Sequence, residues 1–330
     1  GASAIIGSNA VPGVVYSWSP GTGLSSTTIS NPVVTLTNGT QAPINNSIIL
    51  TTSLNGCTNA DTVLVTVNPT ALSNAGNNQF LCSANTLNLG TANNPNYTYA
   101  WSPALGLNST SISNPLLTLV NNGNTPFNTT YAVVTNNVYG CSTSDTVTVT
   151  VNPVPTANAG GDIIFCSGQS GQIGVTATSG YTYSWSPALG LNLSTASDPT
   201  VTLTNSGTVP VTNTYVVTTS WFGCAKYDTV LVTVKPNPIS NAGANLSICS
   251  GDTITLGTAN TNGYTYAWTP AIGLSSTTVS NPTIVFSNTT NNPVTYGYTV
   301  TTTLNGCITS DSVAIIVNPL PTVVPAANPT

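Results

Sequence analysis

Seven cysteines are the residues of this chain best suited to chemistry, and their spacing is regular. One set recurs every 83 or 84 residues, each member directly after a glycine: Cys57, Cys141, Cys224 and Cys307. A second set recurs at the same interval: Cys82, Cys166 and Cys249. The sequence has no histidine and no spacing typical of a zinc site. The pattern therefore indicates disulfides, formed in an oxidising compartment outside the cytoplasm.

The shortest pairing places one disulfide within each later period of the chain: Cys82–Cys141, Cys166–Cys224 and Cys249–Cys307. Cys57 is then predicted to be unpaired, because the strand that would carry its partner is missing from the start of the chain. Geometry leaves an alternative open. If the two cysteines of a pair lie at opposite ends of one domain they cannot bond, since disulfide-linked Cα atoms lie within about 7 Å.

Charged residues are scarce, with two lysines and seven acidic residues, all aspartate, in 330 residues. Acid–base and nucleophilic catalysis need such groups, or histidine, gathered in a pocket. Four aspartates, Asp61, Asp145, Asp228 and Asp311, occupy one equivalent position, which is typical of a turn or the start of a strand. The sequence therefore predicts no enzyme, no cofactor and no metal site. So little basic charge also argues against binding to nucleic acid, and no apolar run is long enough to span a membrane.

Four tryptophans mark an internal repeat: Trp18, Trp101, Trp185 and Trp268 are spaced 83, 84 and 83 residues apart. Each lies in a block such as YAWSPALGL, followed by short alternating apolar runs that end at Asn, Gly or Pro. This pattern predicts strands and turns, and a buried tryptophan on the third strand is typical of immunoglobulin-like sandwiches. We expect an all-β rod of four tandem immunoglobulin-like β-sandwich repeats, with these tryptophans in the cores.

The predicted domains follow the repeat. They are residues 1–69 (repeat 1, lacking its first strand), 70–153 (repeat 2), 154–236 (repeat 3), 237–318 (repeat 4) and 319–330 (a C-terminal tail).

The tail is part of the segment VNPLPTVVPAANPT at residues 317–330. This segment resembles the openings of repeats 2, 3 and 4. A sandwich without its edge strand exposes unpaired backbone groups beside an open core. The tail of a second copy can supply that strand, and such head-to-tail contacts build an open filament. The candidate docking residues of the tail are Pro319, Leu320, Pro321, Val323, Val324 and Pro325.

These observations predict a structural subunit of an extracellular filament, whose partner is another copy of itself. The scarcity of charge favours self-association, because little electrostatic repulsion keeps copies apart. The alternative is a stalk or spacer segment of a larger cell-surface adhesin, in which case the ends mark only where a longer repeat protein was cut.

The recurring motifs NAG-x-x-x-x-x-CSG, Y-x-Y-x-WSP-x-x-GL, GC-x-x-SD-[TS]-V and VNP resemble immunoglobulin-like or PKD-like repeats of Bacteroidota cell-surface proteins. These include adhesins of the gliding-motility and type IX secretion kind. The resemblance implies a cell-surface location. It also makes the Asp-Thr/Ser-hydrophobic triplets of this chain notable, because they are similar to the O-glycosylation signal of that phylum. The candidate glycan sites are Thr62, Thr146, Thr229, Thr253 and Ser312. The alternative, that these residues are simply polar strand starts, stays open.

Overall fold

Strands and turns make up the computed structural model throughout residues 3–323, the part of the chain that it describes. β-Branched and aromatic residues form the strands, because they fit a pleated and half-buried surface, while Asn, Gly and Pro occupy the turns. The chain divides into two compact units. The first extends to Val154 and includes Phe222–Cys224, and the second begins at Pro155.

The first unit holds repeats 1 and 2. Its strands are β1 (Ser3–Ile5), β2 (Val15–Ser19), β3 (Val33–Thr35), β4 (Ile44–Leu54), β5 (Cys57–Val67), β6 (Gln79–Cys82), β7 (Thr86–Asn88), β8 (Tyr97–Ser102), β9 (Leu116–Thr118), β10 (Phe127–Asn137) and β11 (Ser142–Asn152). They form sheets with the orders β1-β3, β2-β4-β5, β7-β9 and β6-β11-β10-β8.

The second unit holds repeat 3, apart from Val154 and Phe222–Cys224, and the described part of repeat 4. Its strands are β12 (Ile163–Cys166), β13 (Ser170–Gln172), β14 (Thr182–Ser186), β15 (Thr200–Thr202), β16 (Val211–Trp221), β17 (Cys224–Lys235), β18 (Leu246–Cys249), β19 (Thr253–Thr255), β20 (Thr265–Thr269), β21 (Thr283–Val285), β22 (Val294–Leu304) and β23 (Cys307–Asn318). The sheet orders are β12-β17-β16-β14, β13-β15, β18-β23-β22-β20 and β19-β21.

Repeats 2, 3 and 4 share one arrangement of six strands in two sheets. The larger sheet contains a long antiparallel hairpin, with the tryptophan strand on one side and the first strand of the repeat on the other. That first strand runs parallel to the last one, so that Leu81 lies opposite Val151 and Ile248 opposite Val317. The smaller sheet covers the other side of the core, where Leu117 packs among the residues around Trp101. The chain is therefore an all-β protein of tandem immunoglobulin-like β-sandwich repeats.

The four repeated tryptophans lie in the cores, each with 3–4% of its surface exposed. Each indole N–H donates to a backbone carbonyl, as Trp185 does to Ala196 at 2.9 Å. A glycine with positive φ faces each ring. At Gly174 (φ 81°) an added Cβ would collide with the carbonyl oxygen of Ser197 and lie 2.9 Å from the Trp185 ring, so the loop can close over the indole only without a side chain there.

Repeats 2, 3 and 4 each bury a tyrosine in the long hairpin: Tyr131, Tyr215 and Tyr298. Each hydroxyl donates to a backbone carbonyl 26 residues earlier in the chain, with a distance of 2.6 Å in all three. Burial raises the pKa of Tyr131 and of Tyr215. Burial, together with the neighbouring Tyr296, raises the pKa of Tyr298 to about 12.

Candidate assembly site

Repeat 1 differs from the other repeats at one edge of its larger sheet. The order there is β2-β4-β5, and within residues 3–323 no strand pairs with the outer edge of β5. In repeat 2 the equivalent edge of β11 is covered by β6, with residues 79–82 opposite residues 149–152. The equivalent residues of repeat 1 are 65–68. Among the described residues, the side of this segment that faces away from β4 has no strand partner, so a further strand can pair there.

A cavity of about 430 Å³ lies at this edge. Its lining includes residues 65–68, together with the apolar side chains of Val34 and Leu36. In repeats 2 and 4 the first strand places Leu81 and Ile248 opposite the last strand, where they are 4% and 8% exposed. The cavity therefore lies along the residues that bind the first strand in the other repeats.

Among the described residues, this edge also lacks a hydrogen bond that the complete repeats have. In repeats 2, 3 and 4 the repeated aspartate accepts the N–H of a buried alanine before the first strand; in repeat 4, Asp311 Oδ2 accepts from Ala242 at 2.8 Å. In repeat 1, Asp61 is exposed and accepts the N–H of its neighbour Thr62 at 2.8 Å. The repeated aspartate therefore holds the opening segment of a repeat against the last strand, a role that sequence analysis did not assign.

A repeated asparagine was missed entirely. Asn38, Asn121, Asn205 and Asn288 are buried, and each donates its side-chain N–H groups to two carbonyls, one of them at the end of the last strand. In the complete repeats the backbone N–H of this asparagine also donates to a serine directly after the first strand, as Asn288 does to Ser250 at 2.8 Å. The period of about 83 residues, shared with the tryptophans, was the available signal.

The predicted tail lies partly within the described residues. Leu320 and Val323 are 62% and 86% exposed. Pro319 is half-buried and Pro321 is exposed. Val324 and Pro325 lie outside the described residues.

The two disulfides join one repeat to the next, so the predicted pairing within repeats is wrong. The bonded pairs are Cys82–Cys224 and Cys166–Cys307, with Cα–Cα distances of 5.7 and 5.6 Å. Cys57, Cys141 and Cys249 are free thiols; of these, Cys141 and Cys249 were predicted to be bonded.

The length of the hairpin explains the error. Cys166 lies opposite Lys235, at the end of β17, whereas Cys224 begins that strand. A strand of 12 residues spans roughly 35–40 Å at ~3.3 Å per residue, far beyond the reach of a disulfide. The same separation applies to Cys82–Cys141 and Cys249–Cys307, because each first strand pairs with the end of the last strand.

The candidate glycan sites, Thr62, Thr146, Thr229, Thr253 and Ser312, are all exposed.

Among the described residues no cluster of three or more His, Cys, Asp or Glu side chains could hold a metal ion. No helix in that part of the chain is long and apolar enough to cross a membrane.

No protein-family model matches the chain, and no curated protein sequence matches it. Solved structures of tandem immunoglobulin-type proteins do match. An I-band fragment of titin is 9% identical, with a TM-score of 0.39 and coverage of 76% of this chain and 96% of that chain. Extracellular domains 3–5 of Drosophila OTK are 8% identical, with a TM-score of 0.30 and coverage of 74% and 95%.

The insect immune protein hemolin is 11% identical, with a TM-score of 0.30 and coverage of 97% of this chain and 96% of that chain. At these identities and scores the similarities carry no information on what this chain binds.

Proposed function

We propose that the chain is a non-enzymatic structural subunit of an extracellular filament, in which the C-terminal segment of one copy fills the open edge of repeat 1 in the next. One observation carries this proposal. Within residues 3–323, no strand pairs with the outer edge of repeat 1, and an apolar cavity lies at the position where the three other repeats bind their own first strand.

A second copy is the proposed occupant because the chain itself carries the matching sequence. Residues 317–330 align with 151–164, the segment that opens repeat 3. In this alignment Val323 takes the place of Ala157, which packs against the core of repeat 3. An exposed valine thereby gains an apolar site, and the larger side chain fills more of the cavity than alanine would.

The same alignment accounts for the different hydrogen bond of Asp61. It places Pro325 at the position of Ala159, whose N–H donates to Asp228 at 2.9 Å. Proline has no N–H to donate. The carboxylate of Asp61 instead accepts the N–H of Thr62. It therefore keeps a hydrogen-bond partner when the donated segment has a proline at this position. Prolines in the donated segment also suit a strand at the edge of a sheet.

Two disulfides favour an extracellular location. The resemblance to Bacteroidota surface repeats favours the same location and suggests covalent glycans at the exposed Thr62, Thr146, Thr229, Thr253 and Ser312. Glycans would help to keep so weakly charged a surface in solution.

Deletion of residues 319–330 tests the proposal. We expect the full chain to form filaments by electron microscopy and the truncated chain to remain as single particles. A matched control carries residues 317–330 ahead of Gly1 through a short Gly/Ser linker, so that the segment fills the groove of its own chain. This variant keeps every residue of the original and should also fail to polymerise.

Cys141 gives an independent readout, because it lines the cavity. In a Cys57→Ser, Cys249→Ser background, we expect a synthetic peptide of residues 317–330 to slow the labelling of Cys141 by a maleimide. If the full and truncated chains assemble alike and the peptide leaves the labelling rate unchanged, donation of the tail is refuted. The chain is then a stalk segment of a larger adhesin.

A further inference from the structure

The two disulfides follow one rule of connection. Each joins the cysteine that ends the first strand of a repeat to the hairpin cysteine of the following repeat, with sequence separations of 142 and 141 residues. Cys249 ends the first strand of repeat 4, so its partner under this rule belongs to a repeat that follows. Cys57 is the hairpin cysteine of repeat 1, so its partner belongs to a repeat that precedes. Both are free and exposed.

The hairpin that carries Cys57 has the conformation of the two bonded hairpins. Asn55, Phe222 and Asn305, each two residues before the cysteine, have φ values of 51°, 48° and 49° and precede a glycine. The hairpin of repeat 2 is longer, with β10 ending at Asn137 and β11 beginning at Ser142, and its non-glycine residues have no positive φ. Cys57 therefore lies on a hairpin shaped like those that form disulfides, whereas Cys141 does not.

A hydrogen bond accompanies each disulfide. Asn152 Nδ2 donates to the carbonyl of Phe222 at 2.6 Å, and Lys235 Nζ donates to that of Asn305 at 2.8 Å. The equivalent residue of repeat 4 is Asn318, whose Nδ2 donates within its own repeat to Ser247 Oγ at 2.8 Å and to the carbonyl of Ile248 at 3.2 Å. Asn55 has the backbone conformation of the two acceptors, so this contact would form at a junction of repeats 4 and 1 when Asn318 exchanges one of these partners.

We propose that Cys249 of one copy and Cys57 of the next form a disulfide at each head-to-tail junction, so that the filament is covalently linked. This inference rests on the proposed function, which brings repeat 1 of one copy after repeat 4 of another. The oxidant is a small-molecule disulfide. The Cys249 thiolate attacks it, forming a mixed disulfide and releasing one thiol. The Cys57 thiolate then attacks the sulfur of Cys249 and releases the second thiol.

Cys141 serves as the internal control. Its longer hairpin has no non-glycine residue with positive φ, unlike the hairpins of the bonded cysteines. Cys141 is therefore expected to keep its thiol in the filament.

The test is non-reducing gel electrophoresis of full-length protein assembled with oxidised glutathione. We expect a ladder of covalent oligomers that 2-mercaptoethanol collapses, and the same ladder from Cys141→Ser. Cys57→Ser and Cys249→Ser alone should each give only monomer. An equimolar mixture of the two should give a dimer and nothing larger, since each variant keeps one half of the junction. Mass spectrometry should identify the linked peptides.

Each alternative outcome has a distinct meaning. Dimers from Cys57→Ser alone or from Cys249→Ser alone would show a bond that does not need both junction cysteines and would overturn the inference. Filaments that form without any ladder would also overturn it, while leaving the proposed function intact. Absence of filaments from fully reduced and oxidised protein alike would count against the proposed function itself.

Discussion

Repeats 1 and 4 align without a gap, yet among the described residues the larger sheet has three strands in repeat 1 and four in repeat 4. The three valines of β5, Val63, Val65 and Val67, are half-buried. Their equivalents in β23 are 2%, 0% and 0% exposed, in the order Val313, Ile315 and Val317. Among the described residues, the core of repeat 4 accordingly holds eleven buried residues and that of repeat 1 four.

The difference shows what one short strand contributes to a sandwich. β18 has only four residues. It nevertheless contributes an apolar side chain to the core and a row of backbone hydrogen bonds, and the segment before it donates a hydrogen bond to Asp311. Burial of apolar surface stabilises by roughly 25 cal/mol per Å². The half-exposed valines of β5 therefore retain a free energy that a donated strand can release. This incomplete burial supports the proposed assembly.

The largest effect is expected when repeat 4 is made to resemble repeat 1. Ile248→Ala removes the apolar side chain that the first strand places in the core, and we expect it to destabilise repeat 4 by about 2–5 kcal/mol. Hydrogen–deuterium exchange with peptic digestion should show β23 exchanging as fast as β5. Leu246→Ala, on the same strand but 42% exposed, should change the exchange of β23 far less. Equal effects of both variants would mean that β18 does not stabilise the core through Ile248.

Removal of the repeated aspartate should have an intermediate and unequal effect. Asp311→Ala leaves the N–H of Ala242 without its acceptor, and we expect a loss of about 1.5–3 kcal/mol, since the bond involves a charged group. Asp61→Ala removes only a local bond at an exposed position and should cost no more than about 0.5 kcal/mol. Exchange of the peptides around Ala242 measures the first effect. A comparable loss from Asp61→Ala would contradict the difference between the two edges.

Periodicity predicted the strands, the repeated cores and the place of the tryptophans, because these depend on residues close in sequence. It could not predict the disulfides. The within-repeat and between-repeat pairings use the same cysteines, and only the length of hairpins such as β16–β17 rules out the first. The long-range acceptor role of Asp311 was also beyond reach, because it depends on the parallel alignment of a first strand with a last one. The extra residue before Cys141 could be read from the spacing of the cysteines. The longer hairpin that results from it could not.

A smaller effect should come from a buried hydroxyl. Thr302 is fully buried, and its Oγ1 has no hydrogen-bond partner within the described part of the chain. Thr302→Val keeps the shape of the side chain and removes the polar atom, so we expect repeat 4 to gain about 1 kcal/mol. In repeat 1 the equivalent Thr52 donates to the carbonyl of Asn59 at 3.3 Å, and Thr52→Val should bring no gain. Urea unfolding of the full chain, monitored peptide by peptide with pulsed exchange, measures both; a loss of stability in Thr302→Val would indicate a bound water.

The smallest effect concerns the ionisation of a buried tyrosine. It changes nothing at neutral pH and distinguishes the repeats only in alkaline solution. Burial raises the pKa of Tyr298 to about 12, from an ordinary value of 10.0, so folding favours the protonated phenol. The stability that it contributes is complete below pH 10 and is lost as the pH rises from 10 towards 12. Repeat 1 has Ile48 at this position and should show no such loss. Absorbance of tyrosinate at rising pH should include a late-titrating component that Tyr298→Phe reduces. If Tyr298→Phe instead removes only signal that titrates near pH 10, the buried environment inferred for this tyrosine is wrong.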